Sequence, residues 1–477
     1  VARGEKIPTS RVRRTAKVGR LAAGEAVKQL GTRAANIARD EQAAQEALAR
    51  RQIETAKQIV AALGQMKGAA MKIGQVMSFL DVGLVPAEYR EEFQRELAKL
   101  RDAAPAVSFA QMRKVVEQEL EAPLAELFEE FDPEPIAAAS IGQVYRAVLR
   151  EDGREVAVKV QYPGVAAAVR ADLQNLEILL RLLKGLVPQL DTSAIAAEVK
   201  GRISEELDYE LEAQNQRALE RIFNGHPFVV IPKVVTELCR ERVLVSELVR
   251  GRSFELLKDR PLEQRNRIAE MVYRFYLGCM YRLNQFSGDP HPGNFLLLDD
   301  GPPPGSPWQG ERLAFLDFGL FKRISPQAAQ IELSAQRAVI ERDAQRLHKL
   351  LADAGFLPDP ERVDPDHLLE FIRAATWWYV EDREVELTPE IATEVMIESA
   401  DPRSRFFAEM RHQRLLPEHL FGRRMEVLVL AVLSQLRPKL NWHRIAREWI
   451  YDDPPATELG RLEAEFFSAS PWLASAG

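Results

Sequence analysis

The sequence predicts an α+β body of two lobes with a cleft between them, preceded by a helical extension. Three observations carry this reading. Residues 1–130 are rich in Ala, Gln, Glu and Lys and keep a helical period. From 131 to 250 the pattern shifts to short alternating strands around a helical stretch, and 251–477 is mainly helical with one embedded pair of strands. At 477 residues, with 46% hydrophobic and 28% charged side chains, the chain exceeds what one core usually supports and has ample material for a sizeable interior.

Within the first 130 residues, Pro86 separates "IVAALGQMKGAAMKIGQVMSFL" from "AEYREEFQRELAKL", which predicts a helical hairpin. The first 39 residues hold ten Lys or Arg against two acidic groups, although the whole chain carries a net charge of −7. Their segment "RVRRTAKVGRLAAGEAVK" reads as a basic amphipathic arm, either a solvated terminus or a contact for anionic membrane lipids or an acidic partner. A removable leader would not explain why the helical spacing continues into the next segment.

After "FDPEP", the runs "IGQVYRAVL" and "EVAVKVQY" alternate apolar and polar residues around the turn "EDGR", predicting a β-hairpin. Helical spacing returns from Val165 to about Phe223, interrupted near "VPQLDTS", where Asp191 to Ser193 can cap a second helix. "FVVIPKVV" and "RVLVSELV" read as two further short strands, and helices resume after Gly251. "NFLLLDD" and "RLAFLDFGL" form a second hairpin-like unit, and Ser325 with Pro326 opens the helices that follow. No internal repeat is apparent.

Cys239 and Cys279 stand 40 positions apart with no CxxC or Cys/His cluster, which excludes a disulfide framework and a structural zinc site. The apolar run "MEVLVLAVLSQL" (425–436) is too short to cross a bilayer and suits a buried helix. A cytoplasmic protein, or an organelle-matrix protein in a eukaryote, soluble or peripheral to a membrane, is expected. Nucleic acid is not an expected partner.

The chemistry concentrates in "SGDPHPGNFLLL" and "FLDFGLF". Asp289 and Asn294 are separated by four residues, and Asp317 opens an Asp-Phe-Gly triplet after an apolar strand. Phosphoryl transfer needs a carboxylate to orient the attacking hydroxyl, and an amide oxygen and a second carboxylate to hold magnesium against the phosphates. Kinases meet those needs with this spacing and order. Lys159, in the strand "VAVKV", matches the lysine that grips the α- and β-phosphates. Its carboxylate partner lies among Glu205, Glu206, Asp208, Glu210, Glu212 and Glu220, and composition alone does not choose. Upstream, Ala137, Ala138, Ala139 and Ser140 occupy the bend that a kinase fills with glycine. His291 either touches phosphate or braces its loop, and backbone groups near Glu247 to Val249 fall where an interlobe hinge would meet adenine. After Gly319 the chain goes almost directly into a helix, and "SGD" stands where a kinase has His-Arg-Asp, so peptide docking and control by a phosphorylated activation loop are not expected.

"MKIGQ" (71–75), "AAASIGQV" (137–144), "ELD" (206–208) and "DPHPGN" with "DFG" together resemble the UbiB family of atypical kinase-like proteins, the aarF-domain kinases. The resemblance runs from about Ile7 to at least Leu320, with no departure at a signature position. It implies a two-lobed protein-kinase-like fold whose N-terminal hairpin, carrying Lys72 and Gln75 of a Lys-x-Gly-Gln motif, packs over the active-site cleft. It implies that Glu212 partners Lys159, and that Glu206 and Asp208 form a Glu-x-Asp pair. On a continuous helix Asp208 and Glu212 share a face, whereas Glu206 lies roughly 160° from Asp208 and must reach elsewhere unless the helix bends.

The expected activity is that of an ATPase or small-molecule kinase using ATP or ADP with Mg2+. Asp289 and Lys159 would be catalytic, and Asn294 and Asp317 would hold the metal. Ala137 to Ser140, Lys159, Glu212, Glu247 and Val249 would bind nucleotide, and Lys72, Gln75, Glu206 and Asp208 would regulate. The resemblance further implies a role in ubiquinone-type quinone biosynthesis at a membrane, with an isoprenoid or quinone precursor as partner. The rival expectation is a nucleotide-gated scaffold that organises membrane enzymes without phosphoryl transfer.

Overall fold

A computed structural model describes residues 107–139, 141–170, 201, 205, 207–400, 404–406, 409–410, 412–414 and 416–469. The chain divides into two compact units. One takes in the chain up to Glu210 together with Val235–Ser246, and the other comprises Leu211–Val234 and everything from Glu247 onward. The expected division at 130 and 250 therefore differs from the observed one, which places 211–234 in the second unit.

In the first unit, helix α1 (Phe109–Glu119) starts at Ser108, whose backbone N–H donates to Gln111 Oε1 at 3.3 Å in a capping box. A short helix α2 (Leu124–Leu127) leads into strand β1 (Phe128–Ala139), followed by β2 (Gly142–Leu149) and β3 (Glu155–Gln161). With β5 (Val243–Glu247) they form a sheet in the order β1-β2-β3-β5. The β2–β3 hairpin forms as its alternation predicts: Tyr145, Ala147, Leu149, Val156, Val158 and Val160 all turn to the interior. Its turn uses Gly153 at φ 71°, and Asp152 Oδ1 accepts the Arg154 N–H at 3.0 Å. Phe109, Phe128, Phe131 and Tyr145 pack as an aromatic cluster beside the sheet, with ring centroids 5.3 to 5.7 Å apart.

Two expectations in this unit are corrected. The alanine-rich stretch is strand rather than open bend over its described part: Ala137, Ala138 and Ala139 pair with Val144, Gln143 and Gly142. The charged helix does not run continuously through 206–212. It begins at Tyr209 (α3, Tyr209–Phe223), and Asp208 precedes it, accepting the Glu210 N–H on Oδ1 at 3.0 Å. Asp208 and Glu212 therefore do not share a helical face.

In the second unit, β4 (Val229–Val230) runs parallel to β9 (Leu313–Phe315), in a sheet ordered β4-β9-β8-β6 with β8 (Phe295–Leu298) and β6 (Gly251–Arg252). A separate ribbon pairs β7 (Gln285–Ser287) with β10 (Phe321–Arg323). Helix α4 (Leu262–Tyr273) passes through a π-turn (Arg274–Gly278) into α5 (Cys279–Leu283), which Asn284 ends at φ 52°. Ser325 caps α6 (Pro326–Ile340) as predicted, its hydroxyl accepting the Ala328 N–H. Helix α7 (Pro417–Leu436) buries Met425, Val429, Leu430, Leu433 and Leu436 in the core. Among the described residues no helix is long and apolar enough to cross a membrane.

At the π-turn, Arg274 is fully buried among Glu270 of α4, Glu448 of α8 (Trp442–Ile450) and Glu463 of α9 (Glu458–Ala469), at 2.7, 2.8 and 3.1 Å. One cation thus ties the last two described helices to the helix that leads toward β7. Cys239 and Cys279 are both buried and are not joined to each other.

Candidate functional site

Asp289 follows β7 directly, and the β7–β10 ribbon fixes where its strand ends. The Gly288 N–H donates to Leu320 O at 2.7 Å, and a Cβ on Gly288 would stand 3.2 Å from the Leu320 side chain. The next residues fold into a 3₁₀ turn, Pro292–Asn294, braced by His291, whose Nδ1 accepts the Gly293 N–H at 3.0 Å. His291 thus takes the bracing role. Asn294 returns toward Asp289: its side-chain Nδ2 donates to Asp289 O at 2.9 Å, and its N–H donates to His291 O at 2.9 Å. With the NH2 so committed, the amide oxygen faces the other way.

Asp317 is held to this turn from the neighbouring strand. Leu316 N–H donates to Asn294 O at 2.8 Å, and the Gly319 N–H donates to Asp317 Oδ1 at 3.0 Å. Ser287 Oγ reaches Asp317 O at 3.4 Å, and Asn215 Nδ2 reaches Phe318 O at 3.3 Å. A Cβ on Gly319 would lie 3.4 Å from both Asp317 Oδ1 and Glu212 Oε2, so the Glu212 carboxylate, only 2% exposed, stands beside the Asp-Phe-Gly turn. The structure brings Asp289, Asn294, Asp317 and Glu212 together within one unit.

Near them lies Tyr276, which the sequence did not single out. Its hydroxyl points at Asp289 O at 3.5 Å. Burial pushes its phenol well above the usual value, and the negative charges of Asp289 and Asp317 add to that shift. Tyr276 is therefore a neutral floor for an acidic site.

In the first unit, Lys159 pairs with Val144 and lies on the strand face opposite Val158 and Val160. Its Nζ sits 4.9 Å from the centre of the Tyr209 ring. Gly142, at the start of β2, touches the β3 backbone: a Cβ there would meet Val160 O at 2.1 Å. Gln161, two residues beyond Lys159, is fully buried and donates from Nε2 to Leu207 O at 2.7 Å and Glu241 O at 3.1 Å. Glu247, in the segment expected to meet adenine, is exposed, and its N–H donates to Lys233 O at 2.8 Å, so that donor is already engaged. Val249 is half-buried in the irregular segment that follows. Lys72, Gln75, Ser140 and Glu206 lie outside the described residues.

Asn294 and Asp317 supply one amide oxygen and one carboxylate, the hard oxygen donors that magnesium takes alongside phosphate oxygens and water. Among the described residues no group of three or more His, Cys, Asp or Glu converges on a point. One amide oxygen and one carboxylate fit a magnesium ion whose remaining positions phosphate oxygens and water would fill.

A model of the ABC1 atypical kinase-like domain matches residues 99–351, more than half of the chain. The chain belongs to the ABC1, or UbiB, family of atypical kinase-like proteins. This UbiB-family chain is 31% identical to the rat mitochondrial atypical kinase COQ8B over 75% of its own length and 65% of the relative's. It is 33% identical to the mitochondrial atypical kinase coq-8 of Caenorhabditis elegans, covering 63% of this chain and 39% of that one. An Arabidopsis thaliana chloroplastic aarF domain-containing protein kinase is 34% identical over 62% of this chain and 40% of its own. The chain thus spans about two fifths to two thirds of the length of these curated relatives. Among solved structures it resembles Rv3197 of Mycobacterium tuberculosis, solved with erythromycin: TM-score 0.59, 29% identity, 85% of this chain and 98% of that one. The α+β, kinase-like fold is that of the family.

Proposed function

We propose that this UbiB-family chain binds ATP or ADP with Mg2+ and acts as an ATPase or small-molecule kinase. The observation that carries the proposal is the knot of hydrogen bonds that ties Asp289, Asn294 and Asp317 into one unit. On this reading the Asp289 carboxylate orients an acceptor hydroxyl or water, and the Asn294 amide oxygen and Asp317 carboxylate hold the metal, which neutralises charge on the phosphates. Lys159 grips the α- and β-phosphates, with Glu212 as its partner. Ala137 to Ser140 border the nucleotide, Glu247 and Val249 meet adenine through carbonyl or side-chain atoms, and Lys72, Gln75, Glu206 and Asp208 regulate access.

The COQ8 relatives support a place in ubiquinone-type quinone biosynthesis, at a membrane in a cytoplasmic or organelle-matrix compartment. An isoprenoid or quinone precursor and anionic lipids are the partners this implies, and the basic arm at 11–28 suits the lipids.

The scaffold reading, nucleotide binding without transfer, draws on a different observation. The alanine-rich stretch is paired as strand through Ala139, and its methyl groups leave less clearance for phosphates at the backbone N–H groups than glycine does. Phosphate release from wild type and Asp289→Asn, with and without anionic liposomes, separates the two. Transfer chemistry predicts a loss of at least about 100-fold in Asp289→Asn, as expected when a positioned base is removed. Equal, background release from both proteins, with MgADP still bound, would leave only the scaffold.

A further inference from the structure

We infer that Gln161 is a positioning residue that registers the segment entering helix α3 against the strand of Lys159. The inference rests on the nucleotide reading above. Gln161 stands two residues beyond Lys159 on β3 and is fully buried. Its Nε2 donates to two backbone carbonyls, Leu207 O at 2.7 Å and Glu241 O at 3.1 Å. Two acceptors around one end of a side-chain amide require that end to be the NH2, so its orientation is determined.

Leu207 O belongs to the entry of helix α3, and Glu241 O to the turn that leads into β5. Leu207 lies immediately before Asp208, inside the Glu-x-Asp motif. Glu241 O also accepts the N–H of Tyr209, at 2.9 Å, and Tyr209 is the residue whose ring underlies the Lys159 ammonium at 4.9 Å. The chain of contacts therefore closes on itself: Lys159, then Gln161 along the strand, then Glu241 O and Tyr209 N–H, then the Tyr209 ring back under Lys159.

Packing does not explain an amide at this position. Gln161 Oε1 is buried with no hydrogen-bond partner among the described residues, an arrangement that costs stability. Methionine would fill the same space with no polar atom to satisfy. What methionine lacks is the pair of donors that fixes the Leu207–Tyr209 segment relative to Lys159.

The test uses the full chain as wild type, Gln161→Met and Gln161→Glu. It reads hydrogen exchange across 205–210 and affinity for MgADP by calorimetry. In Gln161→Met the Asp208 to Glu210 amides should exchange about fivefold faster, the worth of one net hydrogen bond, while amides of β2 keep their wild-type rates. MgADP should bind about tenfold more weakly, about 1.4 kcal/mol. Gln161→Glu keeps the size but sets a carboxylate against two carbonyl oxygens, so it should lose at least as much. Unchanged exchange at 208–210 in Gln161→Met overturns the inference. Uniformly faster exchange across the first unit overturns it too, since that is the signature of a packing residue. Faster local exchange with unchanged MgADP affinity reduces Gln161 to a local brace and likewise overturns the positioning role. A wild type that binds no MgADP sinks the nucleotide reading instead, and the exchange data then decide the local claim by themselves.

Discussion

Gly142→Ala is the sharpest perturbation the geometry allows in the first unit. A Cβ there would stand 2.1 Å from Val160 O, 2.9 Å from Val160 C and 3.1 Å from Gln161 Cα, all backbone atoms that no rotamer change can move. A side-chain Cβ essentially never makes a non-bonded contact shorter than 3.0 Å, so β2 must move away from β3 by about 0.9 Å. Gly142 pairs with Gln161 and Ala139, so the slide falls on the strand of Lys159 and on the alanine-rich stretch together. Overpacking of this kind costs about 1–3 kcal/mol. For a unit of this size that lowers the melting temperature by roughly 2–12 °C. Misplacing a binding group by about 1 Å can cost as much as 100-fold in function. Differential scanning fluorimetry and MgADP titration should therefore show both losses. Gly301→Ala, where a Cβ meets nothing within 4 Å, is the neutral control. Wild-type melting and wild-type MgADP affinity in Gly142→Ala would refute the argument that this close approach sets the register of the site.

Two further outcomes concern the second unit. Burial raises the Glu426 carboxyl to about 7; the Tyr379 hydrogen bond opposes this, the charge of Glu332 adds to it, and Arg423 opposes it. A raised folded value means stability fully present below about 4.5 and lost as pH rises through about 7, worth up to about 3 kcal/mol. Glu426→Gln should remove that slope and raise the melting temperature at pH 8 relative to wild type; an unchanged slope would remove Glu426 as its source. Arg274→Met strands the Glu270, Glu448 and Glu463 carboxylates in the interior, a loss of about 3–5 kcal/mol. Limited proteolysis should then cut first near 452–458, between the last two described helices, and resistance equal to wild type would count against the ion cluster as their anchor.

Local patterns were legible in the sequence. The β2–β3 hairpin follows from strict alternation around an Asp-Gly turn, the α6 start from Ser325 and Pro326, and the grouping of Asp289, Asn294 and Asp317 from their spacing beside short strands. What was not legible depends on contacts far apart in the chain. β4 pairs with β9 across more than eighty residues, which moves 211–234 out of the expected first lobe. Ala137 to Ala139 have little strand preference of their own, and the partners that make them strand lie on β2. The break before Tyr209 carries no Gly or Pro; it is fixed by Asp208 accepting the Glu210 N–H and by Gln161 holding Leu207 O. Gln161 itself had one available signal, its place on the same strand face as Lys159. Tyr276 had none that distinguished it from the aromatic core around it.

The β7–β10 ribbon also limits how this site can be controlled. In protein kinases the segment after Asp-Phe-Gly is long, and a phosphate orders it by recruiting arginine. Here β10 is already paired to the strand that precedes Asp289, with Phe321 opposite Ser287 and Arg323 opposite Gln285, and α6 begins at Pro326. Between Phe318 and Ser325 the only hydroxyl belongs to Ser325, and its Oγ already accepts the Ala328 N–H at 3.1 Å. The Ser325 N–H donates to the Glu418 carboxylate at 2.7 Å, so a phosphate on that serine would be forced against a like charge and would loosen the start of α6. A segment already ordered, with its one phosphorylatable residue committed to a helix cap, offers little for such a switch to act on. Control by a phosphate on this segment would work against the helix cap that holds it.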